Sequence, residues 1–491
     1  MPTGKSRLKS KLYWIAILYF SEGFPLGIFY DLFPVHFRQQ GVALWKIGLM
    51  SLLGLSWTLK FLWAPLIDHF RHHRRWMFSV DLLMAVVMIL FAIGTGYGAW
   101  VWMTIGVFTF LSATNDIAID GYTIEFLKKG ELGLANGFRI GFYRVGMLAS
   151  GFILIMSDYI EWSGAYLLAG GLLCGCGLLC LRAPREKVLN RAQGISLLEE
   201  LKRLFQNPAS LTMVLLFSLG VLWLINNATK WSTKTPYFWW TAFGFSGFLF
   251  IISVRIASKK RVFEKEKISL KMTEGPMFGT MMAMVKRPCF IPVVFFILTF
   301  KLADSAMGFM VKPFWVDSGF SASEIGLVSV NLGLALSILG GMAGGWITDR
   351  AGIFKSLWVL GLFQAVSNLG YALAAWVISN QAEGNIIPIT HKAMLYSASA
   401  IESFTGGLGT AAFLAFLMAI VAKKNSATEY ALLSSIFALS RSLAGWAGGL
   451  GAEMLGYAPY FLFTFFLAFP AYFLLPWVDK VLKNTLVQAS S

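Results

Sequence analysis

Apolar segments of membrane-spanning length follow one another along nearly the whole chain, from Leu12 to Leu482. Each is long enough to cross a hydrocarbon core of about 30 Å as a helix. The pattern predicts a first set of six spans near residues 12–34, 46–68, 77–97, 100–127, 133–157 and 162–181. It predicts a second set near residues 289–314, 323–346, 355–378, 393–421, 427–453 and 457–478. Two more spans, near 211–228 and 236–256, predict an inserted hairpin, which brings the total to about fourteen.

The two sets of six spans resemble each other. The segment "KIGLMSLLGL" at the start of the second span parallels "EIGLVSVNLGL" in the second set. Charged residues recur at comparable places in the first, second and fifth spans of each set: Glu22 and Asp304, Asp68 and Asp349, Arg144 and Arg441. Duplicated bundles of this kind are typical of secondary transporters, whose substrate site lies between the halves near the bilayer midplane.

These patterns predict the fold class and its division into domains. We expect an all-α membrane protein made of two six-helix bundles and an inserted two-helix hairpin. Residues 1–182 form the N-terminal bundle, residues 183–288 contain cytoplasmic linkers and the hairpin, and residues 289–491 form the C-terminal bundle.

The composition is that of a membrane protein, and the distribution of basic residues among the loops indicates its orientation in the membrane. The 491 residues are 57% hydrophobic and 13% charged, whereas soluble domains carry about 25% charged residues. The net charge of +16 comes from basic residues in the N-terminal tail and in alternate loops such as "RHHRR", "SKKRVFEKEK" and "TDRAGIFK". This asymmetry places both termini in the cytoplasm and gives no reason to expect nucleic acid as a partner.

Charged residues within the predicted spans are the candidates for function. A charge at the bilayer centre costs about 2.5–3.5 kcal/mol on insertion scales, so it should face the bundle interior and find a partner. Ten residues lie deep by this count: Glu22, Lys60, Asp81, Asp116, Asp120, Arg144, Lys301, Asp304, Glu402 and Arg441. We predict Lys60, Arg144, Lys301, Asp304, Glu402 and Arg441 as substrate-binding residues, because planar guanidinium groups in particular suit carboxylates or phosphates.

Asp116 and Asp120 share one face of the fourth span, since they are four residues apart. Two carboxylates this close disfavour each other's ionisation, so one of them can hold and release a proton. The alternative is that Arg144 and Lys60 neutralise both for structural reasons. We predict Asp116, Asp120 and Glu22 as proton-coupling residues, and the sequence leaves open which of them carries the proton.

The acid and basic residues after the second span of each half resemble the signature loop of the major facilitator superfamily. "GGWITDRAG" fits that loop well, whereas the first copy has His69 where arginine is usual. The resemblance implies the fold of that superfamily. We predict a conformational latch formed by Asp68, Asp349 and Arg350.

Several longer segments resemble one branch of that superfamily, the AmpG-type muropeptide permeases of Gram-negative bacteria. They are "LKFLWAPLID", "NDIAIDGY", "YRVGMLASG", "LFQAVSNLGYAL", "IESFTGGLGTAAFLAFLMAIV" and "SATEYALLSSIFALSRSLAG". The resemblance implies proton-coupled import of N-acetylglucosaminyl-anhydro-N-acetylmuramyl peptides across the inner membrane. It matches Asp116 and Asp120 to the paired acids of the family's fourth span, and Lys60 and Arg144 to its basic positions. Glu22 departs from the family pattern, in which a small residue is usual.

Other functions remain as alternatives. The nearest is a transporter of another anionic metabolite, such as a coenzyme A thioester or a sugar phosphate. A sensor that has lost transport would be expected to lose its midplane charges, which this chain retains. We find no nucleotide-binding loop, metal motif or nucleophile elbow in the sequence, so we expect no enzyme activity, no cofactor and no bound metal. We expect a monomer whose partners are a muropeptide, protons and the lipid bilayer.

Overall fold

The computed structural model describes residues 4–60, 72–94, 99–126, 132–185, 289–379, 388–421 and 426–490, together with Trp63, Ile67, Met284 and Arg287. The secondary structure of these residues is entirely helical, as the apolar pattern predicted. Met1–Lys187 and Met284–Ser491 belong to one compact unit. The predicted hairpin lies outside the described residues.

The N-terminal half contains seven α-helices among the residues described. They are α1 (Gly4–Gly27), α2 (Phe33–Gln39), α3 (Leu44–Met50), α4 (Leu55–Leu59), α5 (His73–Ile93), α6 (Ala99–Phe126) and α7 (Leu132–Leu181). A π-helical segment, Ile28–Leu32, joins α1 to α2. Helix α7 is interrupted at Glu161 (φ 59°, ψ 170°), so it comprises the predicted fifth and sixth spans.

The described part of the C-terminal half contains nine α-helices. They are α8 (Phe290–Phe300), α9 (Leu302–Asp317), α10 (Ala322–Glu324), α11 (Gly333–Ala351), α12 (Ile353–Ser379), α13 (Ile389–Ala419), α14 (Ser426–Leu455), α15 (Tyr457–Phe466) and α16 (Phe469–Ser490). A π-helical segment, Ile325–Leu332, joins α10 to α11. The predicted span 289–314 is broken at Lys301, whose backbone (φ −102°, ψ 10°) departs from helical geometry between α8 and α9.

The outer surface of the described helices is apolar. Eight helical stretches in this part of the chain are long and apolar enough to cross a membrane. Large hydrophobic side chains such as Ile93, Met103 and Phe473 are more than two-thirds exposed. Because exposed aliphatic and aromatic surface of this extent is stable only against lipid, the chain is a multi-pass membrane protein.

Glycine residues allow the helices within each half to approach closely. A Cβ atom on Gly23 of α1 would lie 2.0 Å from the carbonyl oxygen of Tyr143 in α7. In the other half, a Cβ atom on Gly340 of α11 would lie 2.0 Å from the carbonyl oxygen of Phe404 in α13. Membrane helices associate largely through such small-residue contacts, because the lipid supplies no hydrophobic driving force between them.

The two halves meet at the end of the bundle that carries the turns 40–43 and 318–321, which we call the far end. There Arg38 of α2 forms an ion pair of 2.5 Å with Asp317 of α9. The backbone N–H of Leu44 donates to Glu453 of α14 at 2.8 Å. The backbone N–H of Ser323 donates to Asp158 of α7 at 2.7 Å. The far end is therefore closed in this structure.

Closure of the far end depends on the approach of α3 to α14. A Cβ atom on Gly48 would lie 2.6 Å from the Cα atom of Gly449. We expect Gly48→Leu to hold these helices apart, because overpacking of this kind costs about 1–3 kcal/mol. Spin labels at Gln40 and Ser318 in cysteine-free protein should then report a longer distance and slower transport.

The matched control is Gly341→Leu, since a Cβ atom on Gly341 meets nothing within 4 Å. This variant should leave the distance between the labels unchanged. An unchanged distance in Gly48→Leu as well would show that closure does not require the glycine contact.

Candidate functional site: charged clusters between the two halves

The predicted acids of the fourth span lie in a mixed charge cluster, the N-cluster, formed by Glu22, Lys60, Asp116, Asp120 and Arg139. Lys60 Nζ lies 3.5 Å from Asp116 Oδ2 and 3.9 Å from Asp120 Oδ2. Arg139 Nη2 lies 3.0 Å from Asp120 Oδ1. The hydroxyl group of Tyr19 also donates to Asp120 at 3.0 Å. Each aspartate thus has a cationic partner.

Glu22 is the third acid of the N-cluster and is the deepest of the three. It is 7% exposed, and its Oε2 atom has no hydrogen-bond partner among the described residues. It interacts electrostatically with Asp116, Asp120, Lys60 and Arg139 without forming an ion pair with either cation in the described chain. The N-cluster therefore has three acids for two cations.

Exposure within the N-cluster increases away from the far end. The side chain of Asp116 is 11% exposed, whereas those of Lys60 and Arg139 are 33% and 43% exposed. Because the far end is closed, these exposed groups are reached from the opposite end of the bundle.

Arg144 and Arg441 come from opposite halves and lie close enough to interact electrostatically. Among the described residues, neither forms an ion pair with a carboxylate. The guanidinium group of Arg441 lies 4.2 Å from the centroid of the Tyr30 ring, and Tyr30 stacks on Trp57 with centroids 6.4 Å apart. Guanidinium groups are planar cations whose geometry suits carboxylate and phosphate groups.

A further ion pair joins the halves near these arginines. Lys312 Nζ of α9 lies 3.6 Å from Asp31 Oδ1, and it donates to the hydroxyl group of Ser329 at 2.9 Å. Asp31 and Ser329 both lie in π-helical segments, which are frequent at functional sites because they re-aim side chains out of helical register.

The C-terminal half has a second cluster, the C-cluster, formed by Lys301, Asp304 and Glu402. Lys301 Nζ lies 2.9 Å from Asp304 Oδ2, and the lysine side chain is 4% exposed. A Cβ atom on Gly406 would lie 3.7 Å from Glu402 Oε1 and 4.0 Å from Asp304 Oδ2, so the two carboxylates approach the same point. The break at Lys301 turns its side chain toward the carbonyl oxygen of Gly406 at 3.4 Å.

Asp81, which the sequence also predicts to lie deep within a span, belongs to neither cluster. It is fully buried and accepts hydrogen bonds from Ser21 at 2.8 Å and from Asn115 at 2.8 Å. Its neighbours on α7 include Gly177. Asp81 thus belongs to the packing of α1, α5, α6 and α7, on the side of the N-terminal half away from the arginines.

Other sequence expectations have mixed outcomes in the structure. Asp68 of the predicted latch lies outside the described residues, while Asp349 and Arg350 are exposed and Arg350 stacks on Trp346 at 4.0 Å. Arg144 does not neutralise the aspartate pair, because Arg139, five residues earlier on α7, occupies that position.

Sequence reasoning missed three residues of this region: Arg139, Asp31 and Lys312. All three lie within predicted spans, Asp31 in 12–34, Arg139 in 133–157 and Lys312 in 289–314, but they were not counted among the deep charged residues. The internal repeat carried a signal, since Asp31 follows Glu22 by nine residues and Lys312 follows Asp304 by eight.

A comparison with protein families identifies the fold. The model of the Major Facilitator Superfamily matches residues 15–382. The chain belongs to the Major Facilitator Superfamily. This family consists of transporters, and the spacing of charges between two repeated halves agrees with that membership.

Curated relatives confirm the resemblance to AmpG-type permeases. The chain is 26% identical to an anhydromuropeptide permease of Escherichia coli (strain K12), over 96% of this chain and 80% of that protein. It is also 26% identical to a putative AmpG transporter of Rickettsia conorii, over 96% of each chain.

Solved structures with the same fold are more distant in sequence. A POT family transporter in complex with a thioalcohol-conjugated peptide matches with a TM-score of 0.62 at 14% identity, covering 98% of this chain and 97% of that one. The nucleoside transporter NupG matches with a TM-score of 0.57 at 12% identity, covering 96% and 99%. At these identities the likeness concerns the fold alone.

Proposed function

We propose that this protein is a proton-coupled secondary transporter that imports anhydro-muropeptides across the bacterial inner membrane by alternating access. The observation that carries the proposal is the pair Arg144 and Arg441, which come from opposite halves, interact electrostatically and form no ion pair with a described carboxylate. A muropeptide has several carboxylates and two sugar rings. Its carboxylates suit the arginines, and the half-buried ring of Trp57 beside Tyr30 suits a sugar.

Proton coupling is assigned to the N-cluster, with Glu22 as the proton carrier. Asp116 and Asp120 each have a cation within 4 Å, and that cation stabilises the ionised form. Glu22 has no such cation and is buried, so its neutral form is favoured. The aspartates and their cations then surround a carboxyl group that gains and loses a proton during transport.

The predicted orientation of the termini indicates which side of the membrane the closed far end faces. If both termini are cytoplasmic, the turns 40–43 and 318–321 face the periplasm, and the present conformation faces the cytoplasm. The inter-half contacts at Arg38–Asp317 and Gly48–Gly449 then form the periplasmic gate. In this conformation Lys60 and Arg139 are reached from the cytoplasm, where the proton and the cargo are released.

Uptake of a labelled anhydro-muropeptide into proteoliposomes tests the proposal. We expect accumulation when the side from which the cargo enters is acidified, and little without a proton gradient. Unlabelled muropeptide should compete, whereas a sugar phosphate or a coenzyme A thioester at the same concentration should not. Competition by either of those compounds, with none by muropeptide, would transfer the function to another anionic metabolite.

A further inference from the structure

The C-cluster repeats the charge imbalance of the N-cluster. Asp304 and Glu402 share Lys301, so this cluster has two acids for one cation within the described chain. Lys312 also interacts with Glu402, but it is already paired with Asp31 across the halves. Each cluster therefore has one more acid than the cations within that cluster balance.

The surroundings of Glu402 contain no other described cation. The charged and titratable groups that face it in the described structure are Lys301, Asp304 and Lys312 from α8 and α9, and Tyr371 from α12. The hydroxyl group of Ser403 donates to Glu402 at 3.3 Å. A second ionised carboxylate in this place, deep in a bilayer, would be costly without a proton.

Arg144 and Arg441 complete the balance of acidic and basic groups between the two halves. The six acids of the two clusters and of the Asp31–Lys312 pair are matched formally by six cations, but two of those cations are the separate arginines. These six acids and six cations together are thus neutral when every group is ionised. An anionic cargo that neutralises both arginines leaves two carboxylates in excess, one in each half, and a proton on each restores neutrality.

We propose that the Asp304–Glu402 pair is a second proton-binding site, and that the transporter moves two protons with each cargo, one bound in each half. This inference rests on the proposed function and extends it from a single proton site to a pair related by the internal repeat. The C-cluster is then a coupling site, whereas its residues were predicted from sequence to bind the substrate.

The proton stoichiometry tests the inference directly. With the membrane potential held at zero by potassium and valinomycin, the cargo gradient that gives no net flux is measured against the imposed proton gradient. For two protons, a tenfold proton gradient should balance a cargo gradient of about 100-fold, against about 10-fold for one proton. A wild-type value of one would overturn the second site and leave the proposed function intact. No dependence on protons would overturn both.

Two neutral substitutions then locate the second site. Glu402→Gln leaves a balanced Lys301–Asp304 pair, and Asp304→Asn leaves a balanced Lys301–Glu402 pair. We therefore expect either variant to lower the stoichiometry from two to one while transport continues. The control is Asp479→Asn, an acid near the end of the chain that pairs with Lys483, which should keep the value at two. A value of two in either C-cluster variant that still transports would place the second proton elsewhere.

Discussion

A Glu22→Gln variant is expected to lose the N-cluster's share of the proton-driven accumulation of the cargo while it still exchanges cargo across the membrane. Gln has the shape of a protonated glutamate but cannot release a proton. The N-cluster would remain permanently in the balanced state, in which Asp116 is paired with Lys60 and Asp120 with Arg139. The carrier can then change conformation with cargo bound, but it gains free energy from one proton fewer in each cycle.

Two assays on the same proteoliposomes separate these steps. With a tenfold proton gradient imposed, accumulation should fall by about tenfold, because the loss of one of the two coupled protons removes about 1.4 kcal/mol of driving force. Exchange of internal unlabelled cargo for external labelled cargo should stay near the wild-type rate. Glu161→Gln is the matched control, since Glu161 is exposed at the junction inside α7. Wild-type accumulation by Glu22→Gln would return the proton to the aspartate pair.

The fold was predictable because its signals are local or repeated. Apolar length predicts the spans, and the duplicated segments predict two bundles, so the all-α membrane class required no knowledge of distances. The interruption at Glu161 lies in the gap predicted between the fifth and sixth spans. The break at Lys301 was not predictable, because it depends on a single backbone conformation that hydropathy does not record.

The candidate site was predictable in its residue types and only partly in its pairings. The sequence identifies Glu22, Asp116 and Asp120 as deep acids, since charge in an apolar span is rare. It cannot tell that Arg139, and not Arg144, reaches Asp120, because residues five apart point in different directions from the helix and the orientation of α7 decides which of them enters the cluster. A pair such as Asp31 and Lys312 joins residues that are far apart in the chain, so only the packing of the two halves brings them together.

Arg144 and Arg441 differ in their partners from arginines that have a purely structural role. Structural arginines in a membrane protein are expected to have carboxylate partners, as Arg139 has in Asp120. Arg144 and Arg441 instead interact with each other, and Arg441 lies over the ring of Tyr30. Arg441 also acts electrostatically on Asp31, but the ion pair of that carboxylate is with Lys312. Two cations left together in this way repel each other, and an anion between them removes the repulsion.

Arg144→Gln and Arg441→Gln are each expected to weaken binding of the anionic cargo by at least about tenfold, since truncating one partner of a buried charged contact costs about 2–5 kcal/mol. A cargo analogue whose carboxylates are amidated provides the second arm of a double-mutant cycle. Wild type should bind the amidated analogue weakly, and each Gln variant should bind the two cargo forms almost equally. Arg144→Lys should recover part of the difference, because it retains the charge but not the planar fork.

Arg182→Gln, an exposed arginine just after α7, is the matched control and should bind the anionic cargo as wild type does. The cycle distinguishes recognition from folding, because a variant that is merely destabilised would lose affinity for both cargo forms. Equal losses for the anionic and the amidated cargo would therefore remove the arginines from the binding site. A preference for the anionic form that disappears only in the two Gln variants would place the cargo carboxylates between the halves. Binding of these carboxylates to the arginines would then leave acids of the two clusters without a balancing cation, so that protons must bind with the cargo.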